Sequence, residues 1–200
     1  MFKYIDSNDL IYESKEKTLF FKDKIDKVMI NHVPNQKFDW YYVKKKYLME
    51  ENKVMVPFVE NLVSFLEDDM ESKCIFDYFC NKEVYFFLLD SRNVKRTLIN
   101  LRRQNFDIIN VYDSIHTFNF LLFTDDFEIM CYNNNDNQHY WFGKKDKLED
   151  LFKKYAYEFV KQFEDYCLDL KNDLDKGNDI FPYDTCLKLY YYYKDFFLNK

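Results

Sequence analysis

One alanine (Ala156), two glycines (Gly143, Gly177), three prolines (Pro34, Pro57, Pro182) and four arginines occur in this chain of 200 residues. Average usage at that length would supply about 14 glycines and about 10 prolines. Two isolated glycines exclude GxGxxG and P-loop signatures, in which several glycines in one turn let the backbone approach phosphates. No Gly/Ser or Pro-rich linker and no internal repeat interrupts the chain. The five cysteines (Cys74, Cys80, Cys131, Cys167, Cys186) contain no CxxC and, being odd in number, leave no complete disulfide set. The histidines, His32, His116 and His139, stand far apart, without HExxH, and no GxSxG occurs. The longest apolar runs, Val84–Leu89 and Phe118–Phe123, fall well short of the roughly 20 residues of a membrane span. The opening MFKYIDSNDLIYESKEK is broken early by acids and does not read as a signal peptide. These absences predict a reducing, cytoplasmic setting, with no membrane segment, metal or cofactor.

In place of the missing residues stand 22 Phe, 18 Tyr and 25 Lys. Ala, Gly, Pro and Arg use GC-rich codons, whereas Phe, Tyr, Asn, Lys and Ile use AT-rich ones, so much of this composition reads as mutation pressure from an AT-rich genome. Hydrophobic residues reach 48% and aromatic ones 21%, while mean hydropathy is −0.54. Such a chain can bury a core, and rings must fill it. The net charge of −6 argues against a general nucleic-acid binder, which is normally basic.

Apolar spacing sketches the elements. Thr18–Phe21 and Ile25–Ile30 read as two short strands around Lys22-Asp23-Lys24, and Phe38–Val43 as a third. Pro57 would open a helix over Phe58–Asp69. Val84–Leu89 reads as a buried strand, with Asp90 or Ser91 capping a helix over Asn93–Gln104. A strand at Ile108–Tyr112 follows. Phe118–Phe123 and Phe127–Tyr132 flank Thr124-Asp125-Asp126 as a hairpin, and Tyr140–Phe142 reads as a short edge segment. Long helices are expected over Lys145–Leu170, with Lys171–Asp179 as the break, and over Tyr183–Leu198. The order strand, helix, strand, strand, strand, helix predicts an α+β fold: a mixed, mainly antiparallel sheet packed against helices on one face. The N-terminal strands and helix would join it in one compact domain over residues 1–200, with a soft boundary near 80–83.

All four arginines lie in or at the start of the helix expected over Asn93–Gln104: Arg92 just before it, and Arg96, Arg102 and Arg103 within it, with Lys95 among them. Arg offers a planar fork suited to carboxylate or phosphate, so this cluster reads as a contact face. Trp40 with its tyrosine neighbours, Tyr140 with Trp141, and Tyr190–Tyr193 form dense aromatic patches. Exposed Tyr and Trp beside Arg is the makeup of a protein-binding hot spot. Asp90 and Ser91, at the carboxyl end of a central strand, occupy a place where ligands bind in α/β sheets. The acids Asp125, Asp126, Glu128 and Asp136 resemble a metal set but suit a hairpin turn better. The calcium-loop frame from Asn133 fails, because Gln138 replaces its glycine and Lys144 its final glutamate.

The resulting expectation is a non-enzymatic protein that inhibits or regulates a protein partner, in the manner of a phage or mobile-element inhibitor, anti-defence or immunity protein. Its contact residues would be Arg92, Lys95, Arg96, Arg102, Arg103, Tyr140, Trp141 and Trp40, with no catalytic or metal site. The alternatives are an RNA- or nucleotide-binding module built on the Arg92–Arg103 helix, and a small metal-dependent hydrolase or nuclease using Asp90 with the Asp125–Glu128 acids.

Overall fold

The computed structural model describes residues 10–32, 40–59, 73–79, 82–91, 93–104, 108–115, 118–134, 139–178 and 184–199. In chain order the strands are β1 (Met29–His32), β2 (Trp40–Val43), β3 (Lys53–Pro57), β4 (Val84–Leu88), β5 (Leu98–Asn100), β6 (Phe120–Thr124), β7 (Ile129–Asn133) and β8 (His139–Lys144). The helices are α1 (Lys15–Val28), α2 (Lys45–Glu50), α3 (Lys73–Phe79), α4 (Ile108–Ile115), α5 (Lys145–Phe152), α6 (Ala156–Asp175) and α7 (Asp184–Tyr193).

The fold is α+β. Six strands form one sheet in the order β3-β8-β7-β6-β4-β5, antiparallel at every pair, and β1 with β2 forms a separate antiparallel ribbon. Every residue of β4, β6 and β7 is buried, so these strands lack the alternation of a sheet with one wet face. Helices therefore cover both faces, not the single face expected. On one, Phe21 of α1 sits 4.8 Å from Tyr85 and 5.3 Å from Phe123, and Phe163 of α6 meets Tyr140. On the other, Tyr112 of α4 meets Phe120, while Phe79 of α3 and Phe152 of α5 meet Trp141.

Both outer edges of the sheet are covered by short extended segments. Tyr12 bridges Ile99, and the Glu13 N–H donates to the Leu98 carbonyl at 2.8 Å. At the other edge Phe197 bridges Met55. Such cover blunts the unpaired N–H and C=O groups that make free edges sticky. Glu13 is pinned there with its side chain 2% exposed, between Lys17 at 3.2 Å and Arg103 at 3.3 Å.

Four expectations need correction. Residues 15–28 form α1, not two strands: the Ser14 hydroxyl accepts from the Lys17 N–H, and Thr18, Phe21, Ile25 and Val28 bury one helical stripe. Exposed Leu19 and Phe20 made that stripe look like a strand. Residues 93–104 are not one helix but two 3₁₀ turns flanking β5. Asn93 and Asn100 accept from the N–H groups of Lys95 and Arg102, an alternative to helical bonding, and β5 pairs with β4. Residues 108–115 form α4, with Ile108, Val111, Tyr112 and Ile115 buried at helical spacing. The long helix breaks at Lys153 (φ 52°, ψ −131°), and its second part runs on to Asp175, closed by Gly177 at φ 79°. Pro57 ends edge strand β3, where a missing N–H is tolerated, and the helix expected after it lies beyond the described residues.

Candidate functional site

The structure scatters the expected contact residues. Arg92 lies outside the described residues, as does the side chain of Trp40, which opens β2. Tyr140 and Trp141 are fully buried, because Tyr140–Phe142 belongs to β8, an inner strand and not an edge. The Trp141 Nε1–H donates to His139 Nδ1 at 3.0 Å within the core. Neither residue can serve as a contact surface in this fold. The basic residues divide into two groups once the helix is replaced by β5. Arg102 pairs with Glu83 at 3.4 Å and Arg103 with Glu13, both beside the start of β4. Lys95 and Arg96 stand exposed on the turn beside its far end.

The imagined acid site is likewise taken apart. Asp90 Oδ2 accepts from the backbone N–H and the Nδ2–H of Asn119, both at 2.8 Å, and the Tyr132 hydroxyl donates to Asn119 Oδ1 at 3.1 Å. This network ties the end of β4 to the start of β6 and to β7. Asp125–Glu128 lie beyond the other end of β6, about 20 Å away at ~3.4 Å per residue. There Lys82 reaches Asp126 at 2.9 Å and Glu128 at 3.1 Å, and Lys147 reaches Glu128 at 3.5 Å. Burial would raise the Asp126 carboxyl, but the Thr124 hydroxyl, the Glu128 N–H and Lys82 hold it below its usual range. Asp136 lies outside the described residues. Among the described residues no three His, Cys, Asp or Glu side chains gather as a metal site. Burial pushes the Cys167 thiol up to about 12, as befits a core residue.

Near Asp90 and Ser91 there is nevertheless a cleft of about 250 Å³, between α1, the β1–β2 ribbon and the turn at Val94–Arg96. Ile25, Met29, Phe87, Leu89 and Val94 give it an apolar floor. Hydroxyls line its sides, and each donates to a backbone carbonyl: Thr18 to Ser14, Tyr41 to Leu89, Ser91 to Arg96 and Thr97 to Asn93. Those bonds fix the rotamers of the four side chains. The mouth carries the ion pair Lys22–Asp26 at 2.5 Å, both partners about half exposed. Lys95 and Arg96, both exposed, follow Val94 in the turn that leads to Thr97. Sequence reading placed a candidate site at Asp90-Ser91 but missed the wall from α1. Its signal was the helical spacing of Thr18, Lys22, Ile25 and Met29, hidden by reading that stretch as strands.

The chain matches no protein-family model, and neither a curated protein nor a solved structure is significantly similar to it.

Proposed function

We propose that this protein acts by binding a partner protein, whose large apolar side chain docks in the cleft between α1 and the Val94–Arg96 turn, and that this binding blocks or regulates the partner. The observation that carries the reading is an open, apolar-floored cleft with locked walls beside exposed cationic residues. Its volume of about 250 Å³ falls under the ~300–1,000 Å³ of most small-molecule sites and suits a single anchoring side chain. Interface energy concentrates in such pockets, filled by an aromatic or aliphatic anchor and ringed by polar groups. Lys95 and Arg96 are taken as contacts because both are exposed on the turn that carries Val94, whereas Arg102 and Arg103 pair with Glu83 and Glu13.

The test is capture from nuclease-treated lysate of the source cells on immobilised protein, compared with Val94→Trp, which fills the cleft from a partly exposed floor position. Proteins held by the native chain and released by the variant support the reading. An identical set held by both removes it.

A further inference from the structure

The hydroxyls that line the cleft have already spent their protons. A hydroxyl beside a backbone carbonyl can only donate to it, and each has one proton to give. Thr18 donates to the Ser14 carbonyl at 2.9 Å, Ser91 to that of Arg96 at 3.0 Å and Thr97 to that of Asn93 at 2.8 Å. Tyr41 donates in the same way to the Leu89 carbonyl. The backbone N–H groups of the lining strand end are committed as well: Leu88 to Thr97, Leu89 to Asn119 and Ser91 to Leu88. What Thr18, Ser91 and Thr97 retain is oxygen lone pairs. The charged lining residues, Lys22 and Asp26, pair with each other and stand about half exposed. The cleft is thus apolar in its floor, balanced in charge and, through its hydroxyls, able only to accept.

We infer that the side chain docking here is a tryptophan of the partner, its indole on the floor of Ile25, Met29, Phe87 and Val94 and its Nε1–H donated to a hydroxyl oxygen of the cleft. This rests on the docking reading above and adds which anchor the cleft selects. Among large apolar side chains, tryptophan alone carries a polar group that donates and cannot accept. Phenylalanine or leucine would cover the hydroxyl oxygens without supplying a donor, and desolvating polar atoms without a new partner is costly. Tyrosine can donate, but it brings lone pairs of its own into a site whose hydroxyl protons are spent. Lysine or arginine would carry a charge onto an apolar floor where the carboxylate of Asp26 is already paired. A cleft of about 250 Å³ leaves room for two fused rings.

Chemical-shift titration of the isotope-labelled chain tests this with four probes: N-acetyl-tryptophanamide, its benzothiophene isostere in which sulfur replaces the N–H, N-acetyl-phenylalaninamide and free tryptophan. The tryptophanamide should shift the amides of Ser91, Val94 and Thr97 and bind about fivefold more tightly than the isostere or the phenylalanine probe. Val94→Trp, which fills the cleft, should abolish those shifts. Equal or tighter binding of the isostere or of the phenylalanine probe overturns the inference, as does the absence of shifts in the cleft at saturating probe. Tighter binding of free tryptophan, whose charged ends no residue within a chain carries, would make the occupant a small molecule and overturns it too. If lysate capture depends on the cleft while the indole N–H gives no advantage, the anchor assignment falls and the docking reading stands. If Val94→Trp alters neither capture nor probe binding, both fall.

Discussion

The Leu198 backbone N–H donates to the Met55 carbonyl at 2.9 Å, so residues 197 and 198 run along the outer edge of β3. The contact is secured by Phe197, whose buried ring meets Phe163 of α6 at 5.9 Å and Tyr190 of α7 at 6.0 Å. One side chain thereby joins the edge cover to the helical layer. Phe197→Ala should cost about 3–5 kcal/mol by emptying that place. It should also free the β3 edge for pairing between molecules. Urea unfolding reads the first effect and light scattering at rising concentration the second. Loss of stability without added self-association would show that the edge is protected by something else.

Lys153 holds φ 52° and ψ −131°, a conformation that L residues other than glycine rarely adopt. Its side chain is exposed, so little packing is lost on removing it. The neighbouring Phe152 enforces the bend, with its ring against Trp141, Phe58 and Phe159. Lys153→Gly should therefore stabilise the chain by about 1 kcal/mol, read as a higher urea midpoint at unchanged slope. A lower midpoint would mean that glycine's extra freedom in the unfolded chain outweighs the strain relieved.

That bend shows where sequence reading stops. The apolar spacing from Leu148 to Tyr166 continues across Lys153, because periodicity records which residues are buried and not whether the backbone between them is continuous. The β6–β7 hairpin was legible, since Asp125 and Asp126 sit between two unbroken apolar runs and Asp suits a turn. The turn's next residue, Phe127, takes φ 57°, and that was not legible. Its ring packs on Phe123 at 4.7 Å within the hairpin, and the Lys53 ammonium, from β3 on the far side of β8 and β7, donates to its carbonyl at 2.7 Å. β5 was hidden by a similar tertiary override. Leu98–Asn100 has a helix-compatible pattern, but strand pairing to Tyr85–Phe87 and two asparagine side-chain bonds determine its state. The basic contact set was misread with it. The cleft was half legible, marked by Asp90-Ser91 but without its helical wall.

Lys53 should make stability depend on pH in the mildly alkaline range. Burial lowers its ammonium to about 8, with Lys144 adding to the effect, while Glu51, Asp126 and Glu128 oppose it. Below pH 8 both folded and unfolded chains hold this proton, and the folded state carries the full cost of the buried charge. Between about 8 and 10.5 the unfolded chain binds more protons, so stability rises with pH. The full rise from this group is on the order of 3 kcal/mol. Lys82 is raised by Tyr78, Asp126 and Glu128 against a desolvation cost, and loses its contribution only above 10.5, outside this window. Burial holds the Cys131 and Cys167 thiols and the Tyr132, Tyr140 and Tyr193 phenols above their usual values, so their ionisation in the unfolded chain lowers stability toward pH 9.5. Chemical denaturation from pH 7.5 to 9.5 should therefore show the native chain gaining stability relative to Lys53→Met. Parallel profiles would place the titration elsewhere.

Asp90 separates a structural role from a catalytic one. Its Oδ2 is the acceptor for two Asn119 donors, and Asn119 in turn accepts from the buried Tyr132 hydroxyl. Asp90→Ala leaves those Asn119 donors without their acceptor at the buried junction of β4 and β6, and should cost about 2–3 kcal/mol. Asp90→Asn keeps one oxygen for the same donors and should recover much of that loss, provided its amide turns the carbonyl toward Asn119. The cleft residues Leu89 and Ser91 flank Asp90, so loosening this junction should also weaken partner capture, in proportion to the stability lost. Urea midpoints and lysate capture on the same variants check the two together. A variant of native stability that loses capture outright would put the Asp90 carboxylate itself in the contact, not beneath it.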